Sequence, residues 1–218
     1  MDTDYISNHN IILHNARGVY STPMAEFAIA GVLAIYKGLY KFKDQQKNHQ
    51  WQKNRELREL TGKNVLIIGC GSVGTECAKR FKAFGCEITG ADIRPQCSEY
   101  FKSIHPISEL DNLLPTADIL ILTVPLTNET TKLITGERLS ELKEGAILIN
   151  ISRGAVIDQK ALEAWNGLAI LDVFEEEPLK EDSYLWEKDN WIITPHNSFV
   201  SNRNEQRLNN VILRNLVL

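Results

Sequence analysis

Apolar positions follow two different rules along this chain. Ahead of residue 63 they gather in one long run. Beyond it they recur as short blocks separated by amphipathic stretches. The first run, MAEFAIAGVLAIYKGLYKF, follows Thr22 and Pro23, a hydroxyl suited to an N-cap and a proline suited to the first helical turn. It is apolar around most of its circumference, so the helix predicted over residues 23–42 is buried on more than one side. Residues 43–62 turn polar and read as an exposed arm, and residues 11–13 (IIL) as a short strand.

From Asn64 the blocks NVLIIG, CEITGAD, DILILTV, AILINIS, GLAILDV and NWIIT predict six strands. Most are continuous apolar runs, as expected of parallel strands covered on both faces. Helices are predicted between them. One carries a stripe of Val73, Cys77, Phe81 and Phe84 with Gly85 as its stop. A short one covers ELDNLL behind Ser108, and others cover residues 129–142 and DQKALEAW. A final amphipathic helix runs from Asn202 to the end. Strand alternating with helix implies an α/β protein with a doubly wound parallel sheet of the Rossmann type and right-handed crossovers.

The first block ends in GCGSVG. The G-x-G-x-x-G spacing is common in tight turns, but here it follows a strand and opens a helix. Gly69 permits the turn, Gly71 lets the backbone approach a pyrophosphate, and Gly74 lets the helix pack close to the strand. Free N–H groups at the helix start would stabilise phosphates. Asp92 closes the second strand at about the 20-residue spacing expected of a ribose-binding acid. Its carboxylate would accept from both ribose hydroxyls and repel a 2′-phosphate, so NAD is favoured over NADP. Arg94 stands close enough in sequence to weaken that preference.

Three later residues could complete a redox site. Arg153 follows an apolar strand in NISRGAVID, where a guanidinium would grip a carboxylate through two parallel hydrogen bonds. His196, in IITPHNS, ordinarily titrates near neutrality and suits a general acid and base. Glu177, in DVFEEEP, precedes a proline that restricts its backbone; beside His196 it would favour the imidazolium and hold one tautomer. Glu175 and Glu176 read as solvated loop residues. Composition narrows the alternatives. A net charge of −4 without a basic block argues against nucleic acid, and no apolar stretch approaches a bilayer span. The polar, acidic start MDTDYISNHN is unlike a secretory signal. Cys70, Cys77, Cys86 and Cys97 form no C-x-x-C pair, so a metal site is not expected; they read as buried free thiols of a cytoplasmic protein.

GCGSVG, ADIR, NISRGAVID, LDVFEEEP and TPH, in that order, resemble the D-isomer-specific 2-hydroxyacid dehydrogenase family, and the similarity extends back to HNARGVYSTPMAEFAIAGVLA. The resemblance implies an NAD-dependent oxidoreductase that interconverts a 2-keto acid and a D-2-hydroxy acid. It makes Arg153, Glu177 and His196 catalytic. It implies that Ser72 and Val73 touch the pyrophosphate and that Asp92 holds the ribose. Val124, Pro125, Thr130 and Ile151 would contact the cofactor, and Asp172 would bind the nicotinamide carboxamide. It implies a homodimer through residues 23–62. It divides the chain into a remnant of a flavodoxin-like substrate domain (residues 1–14), a dinucleotide-binding domain (15–195) and a helix returning to the substrate domain (196–218). Three departures stand out. The segment that builds most of the substrate domain would lie ahead of Met1. The stretch from Ala161 to Asp172 is shorter than the family pattern by roughly five residues, more than a helical turn. The glycine-rich sequence usual after the histidine reads NSF, and TVP stands where H-x-P is common. The first departure leaves an alternative expectation: an NAD-binding dimer that acts as a sensor or scaffold without turnover.

Overall fold

A strand with no polar alternation has to be covered on both sides, and the computed structural model satisfies that demand with a single sheet. It describes residues 2–9 and 11–216. Seven strands, all parallel, lie in the order β3-β2-β1-β4-β5-β6-β7: β1 Asn64–Ile68, β2 Glu87–Asp92, β3 Ser103–Pro106, β4 Ile119–Leu122, β5 Ile147–Asn150, β6 Leu168–Leu171 and β7 Trp191–Ile193. Strand pleating divides the aliphatic side chains between two cores. Leu66, Ile68, Leu120, Leu122, Leu148 and Leu171 face one. Val65, Ile67, Ile119, Ile121, Ile147, Ile149 and Ile170 face the other.

The second core is closed by α2 (Ser21–Tyr36) and α4 (Ser72–Ala83), through Ala25, Ala28, Val32, Cys77, Ala78 and Phe81. The first is closed by short helices: α5 (Leu110–Leu113), α6 (Gly136–Ser140) and α7 (Gln159–Ala164), with Leu110, Leu114, Leu139, Leu162 and Leu185 packed inward. The chain starts with α1 (Thr3–Asn8), continues from α2 into α3 (Leu39–Lys47), and ends in α8 (Asn204–Leu216).

The architecture matches the sequence-based expectation of a doubly wound parallel sheet, and several local expectations are corrected. The seventh strand, β3, has the sequence SIHP; as an edge strand with little burial it carries no apolar run to betray it. The long first helix breaks at Gly38, whose φ of +60° separates α2 from α3. α2 begins at Ser21 rather than Pro23, and no side chain caps it. Residues 11–13 have no strand partner and form no strand. Of residues 129–142 only α6 is helical; ahead of it the Thr127 and Thr130 hydroxyls close a turn, each accepting from the other residue's N–H. The expected helix behind Ser108 is a 3₁₀ turn that runs into α5. Phe84 is the C-cap of α4 and lies largely in solvent, so the buried stripe ends at Phe81. The shortened stretch after Ala161 leaves α7 with six residues.

α8 is amphipathic as expected, but none of its described residues is buried. The last two residues of that expected helix, Val217 and Leu218, lie outside the described residues. Leu208, Ile212 and Leu216 stand over a cavity of about 320 Å³ shared with His14 and Ala16, and Arg207 Nε ties the helix to the Val19 carbonyl at 2.7 Å. All four cysteines are free; Cys77 and Cys86 are buried, Cys70 partly so, and Cys97 is exposed, contrary to the expectation that all would be buried. No helix among the described residues is long and apolar enough to cross a membrane, and no cluster of His, Cys, Asp and Glu among them is arranged to hold a metal.

Candidate active site

The carboxyl ends of β1, β2 and β4 to β7 all open on one edge of the sheet, and the sequence-predicted site residues lie in the loops leaving that edge, at the end of β2 (Asp92) or in the first turn of α4 (Ser72, Val73 and Gly74). The order reverses between β1 and β4, the switch point where ligands bind in open α/β sheets. At that point the chain turns through Gly69, whose φ is +94°. A Cβ on Gly74 would lie 2.1 Å from the Gly69 carbonyl oxygen, so α4 can approach β1 only with hydrogen at that position. Thr123 Oγ1 donates to the same oxygen at 2.6 Å and locks the turn. Val124 packs against Gly69 from the end of β4.

Gly71 differs from its two neighbours: nothing lies within 4 Å of a Cβ built on it, so the backbone is bare on its outer side. It is the N-cap of α4 and no side chain caps the helix. The N–H groups of Ser72, Val73 and Gly74 find no acceptor among the described residues. An accessible helix start with unspent donors and a positive dipole end fits a pyrophosphate. Asp92 stands at the end of β2, half-buried. One of its oxygens accepts from Cys70 N at 2.7 Å and the other from Arg94 N at 2.9 Å, so the acid is fastened to the glycine turn. Cys70, within the turn, is no thiolate: burial, with Asp92 adding to it, pushes its pKa up to about 12.

Thr130 and Ile151 turn their side chains inward, Ile151 into the core and the Thr130 hydroxyl onto the Pro125 carbonyl at 2.7 Å. They shape the loops after β4 and β5, leaving backbone and the exposed Pro125 at the surface.

Arg153 lies just beyond β5, on a loop built by Asn150, a residue that sequence reasoning passed over. Asn150 is fully buried. Its amide donates to the Arg153 carbonyl at 3.0 Å, and its carbonyl oxygen accepts from Ser152 N and Oγ at 3.1 and 2.8 Å. The guanidinium is exposed, its Nη1 donates to Ser152 O at 2.6 Å, and it forms no ion pair among the described residues. The next residue, Gly154, seats this loop on the one that follows β6: a Cβ there would fall 1.8 Å from the Phe174 carbonyl carbon. The two loops touch backbone to backbone.

That second loop carries Glu177. One of its oxygens accepts from Phe174 N at 3.0 Å, and the other meets His196 Nδ1 at 2.7 Å, with the two side chains 35% and 37% exposed. Glu177 and His196, far apart in sequence, are thus a hydrogen-bonded pair. A carboxylate accepts, so Nδ1 carries hydrogen and Nε2, without a partner among the described residues, is available to a bound molecule. His196 adopts φ +51°, a left-handed conformation that costs a non-glycine residue about 1–3 kcal/mol and persists only when its surroundings enforce it. Phe199 meets the imidazole edge-on at 5.8 Å between centroids, and Tyr20 meets Phe199 the same way at 5.7 Å.

Asp172, expected at the nicotinamide, is 0% exposed. Its Oδ1 accepts from Thr194 Oγ1 at 2.6 Å and Asn197 N at 2.7 Å, and its Oδ2 from Ser198 N at 2.9 Å. Its carbonyl accepts from His196 N at 2.8 Å.

An open, uncapped helix start at the switch point of a parallel sheet, with a hydrogen-bonded carboxylate and imidazole on the same edge, is the layout of a nucleotide-dependent enzyme of the Rossmann class. Comparison with known proteins gives the family. The model of the D-isomer specific 2-hydroxyacid dehydrogenase NAD-binding domain matches residues 29–198. The glyoxylate reductase of Thermofilum pendens is 33% identical over 230 residues, covering 100% of this chain and 67% of that protein. A D-isomer specific 2-hydroxyacid dehydrogenase family protein from Aeromonas salmonicida superposes with a TM-score of 0.84 at 35% identity, over 92% of this chain and 66% of that one. A D-isomer specific 2-hydroxyacid dehydrogenase from Xanthobacter autotrophicus, solved with NADPH and MES, gives 0.78 at 31% identity over 90% of this chain and 82% of that one. The chain belongs to the D-isomer specific 2-hydroxyacid dehydrogenase family, through the NAD-binding domain of its oxidoreductases, and spans about two thirds of the length of the first two relatives.

Replacing Gly154 by alanine should lower stability by about 1–3 kcal/mol, the usual cost of forcing a methyl group into a closed contact. Chemical denaturation measures it; an unchanged midpoint would mean that the loops of Arg153 and Glu177 do not bear on each other.

Proposed function

We propose that the chain is the cofactor-binding and proton-transferring part of an NAD-dependent dehydrogenase that interconverts a 2-keto acid and a D-2-hydroxy acid. The observation that carries this is the Glu177–His196 pair, held at 2.7 Å on the same sheet edge as the open glycine turn.

Gly69, Gly71 and Gly74 form the turn, and the amides of Ser72 and Val73 would receive the pyrophosphate. Asp92 would receive the adenosine ribose, and the chain at Val124, Pro125, Thr130 and Ile151 would follow the rest of the cofactor. A nicotinamide held there would supply hydride to a keto carbon, or accept it from the alcohol. Arg153 binds the substrate carboxylate through its planar fork and draws the carbonyl into place. His196 Nε2 delivers the proton to the carbonyl oxygen during reduction and removes it from the hydroxyl during oxidation. Glu177 keeps hydrogen on Nδ1 and stabilises the imidazolium left when the alcohol has given up its proton.

Two further properties belong to the same proposal. The arm that includes α3 carries exposed Leu39 and Tyr40, and Trp51 is 98% exposed beside a cavity of about 870 Å³ lined by Phe42, His49 and Arg55. Apolar surface of that kind marks an interface, and a second copy of the chain is its proposed partner. Free cysteines, two of them buried with pKa pushed up to about 12 and about 11, suit a reducing, cytoplasmic setting.

The His196→Ala variant should lose turnover of NADH with 2-keto acids by about 10³-fold, within the range of general acid–base catalysis. NADH binding, followed by fluorescence, should survive; a near-normal rate would remove the acid–base assignment. If the unsubstituted chain binds NADH and oxidises none of it with any 2-keto acid, the sensor or scaffold alternative takes its place. For Asp92→Ala the preference for NAD over NADP should narrow about 10- to 100-fold, the worth of hydrogen bonds to a charged group plus relief of phosphate repulsion. An unaltered ratio would show that another residue reads the ribose. Light scattering should give twice the chain mass, with Trp51→Ala shifting the equilibrium toward monomer. A monomeric unsubstituted chain at micromolar concentration would refute the dimer.

A further inference from the structure

We propose that Ser103, His105 and Glu109 form a second catalytic site, in which the Ser103 hydroxyl takes acyl groups from small esters. The site lies on β3, at the opposite end of the strand order from β7 and the histidine loop that follows it, and shares no residue with the nucleotide site. Successive side chains of a strand point to opposite faces, which puts Ser103 and His105 on the same one. Pro106 ends the strand, and the 3₁₀ turn Ile107–Glu109 that follows brings Glu109 back to the ring. Glu109 Oε2 lies 2.9 Å from His105 Nδ1, and Ser103 Oγ lies 2.9 Å from Nε2.

The chemistry of the three groups fixes the direction of these bonds. An ionised carboxylate only accepts, so Nδ1 carries hydrogen and Nε2 presents its lone pair. The Ser103 hydroxyl then donates to Nε2. A nucleophile within hydrogen-bond reach of a base, with the base oriented by a third group, is the arrangement that activates serine. The hydroxyl is also reachable. Ser103 is exposed and forms part of the wall of a cavity of about 260 Å³, with Pro95, Phe101 and Ile104 as apolar lining. That volume and lining suit a short acyl chain. One further donor is in place. Lys102 N donates to the Ile88 carbonyl at 2.8 Å, so the amide of Ser103, one residue on, points away from β2 and out of the open edge. The N–H of the nucleophile is thereby unspent and can hold the oxygen of a tetrahedral intermediate. In the reaction Ser103 Oγ attacks the ester carbonyl while His105 Nε2 takes its proton. The bond from the carbonyl carbon to the alcohol oxygen breaks, and the alcohol leaves with that proton. Water then attacks the acyl-serine and gives a proton to His105, which returns it to Ser103 Oγ. The products are an alcohol and a carboxylic acid. Glu109 stabilises the imidazolium formed in each step.

The test treats the full chain with a fluorophosphonate bearing a short alkyl group and reads the modified residue by peptide mass spectrometry. Ser103 Oγ should displace fluoride and carry the phosphonyl group, and the chain should release 4-nitrophenol from 4-nitrophenyl acetate. Ser103→Ala should abolish the adduct, His105→Ala should slow it about 10²-fold, and Glu109→Gln about tenfold. The His105 and Glu109 side chains are 33% and 49% exposed, so these variants should keep the parent's unfolding midpoint. Should His105→Ala fail to fold, His105→Gln takes its place. An unmodified Ser103, an adduct on Cys97 of the same cavity instead, or an equal rate in a folded His105 variant overturns the inference. So does release of nitrophenol no faster than from Ser103→Ala. None of these readings uses NADH or a 2-keto acid, so the result is independent of the dehydrogenase proposal.

Discussion

The central strands of this protein are buried on both faces, and the rest of the molecule follows from that constraint. β1, β4, β5 and β6 offer aliphatic side chains to both sides, so both sides need helical cover. Each crossover must then return the chain to the same end of the sheet before the next strand can start. All strands run one way, all their carboxyl ends lie on one edge, and loops from distant parts of the sequence converge there. The site is a by-product of how the core is covered.

Convergence alone does not give chemistry, and the site shows two kinds of precision added to it. At the switch point, precision comes from removing atoms. Gly74 has no room for a methyl group and Gly71 has nothing in front of it, so the same short turn is closed toward the core and open toward a ligand. On the other half of the edge it comes from adding bonds. Asn150 builds the loop of Arg153, Gly154 seats that loop on Phe174, and Asp172 and Glu177 fasten the backbone and ring of His196. A phosphate is held by diffuse backbone dipoles and needs only space and donors. A proton is transferred over a fraction of an ångström and needs a ring fixed by several contacts.

The surface is less finished than the core. The apolar stripe of α8, the exposed residues 11–13 and the arm around Trp51 all leave aliphatic or aromatic side chains in solvent. Clustered exposed apolar side chains on a protein with a well-packed centre are a sign of contacts made with something else. The arm and the α8 face lie on separate segments, one against the cavity of Phe42 and Trp51, the other against His14 and Ala16.

What the sequence determined by itself was whatever depends on local pattern. The buried strands, the glycine turn that opens α4 and the acid closing β2 were legible because each is written in consecutive residues whose physics is short-range. Edge strand β3 was not, since a strand with little burial needs no apolar run, and residues 11–13 were misjudged because an apolar triplet becomes a strand only beside a partner. Arg153, Glu177 and His196 could be singled out by residue type and by resemblance, but their meeting could not. Only the packed sheet brings Glu177 within 2.7 Å of His196, buries Asp172 completely beneath the same loop and lays Phe199 against the ring. Those distances depend on strand order and loop-to-loop contact between residues that sequence does not place side by side, so tertiary structure alone decided them.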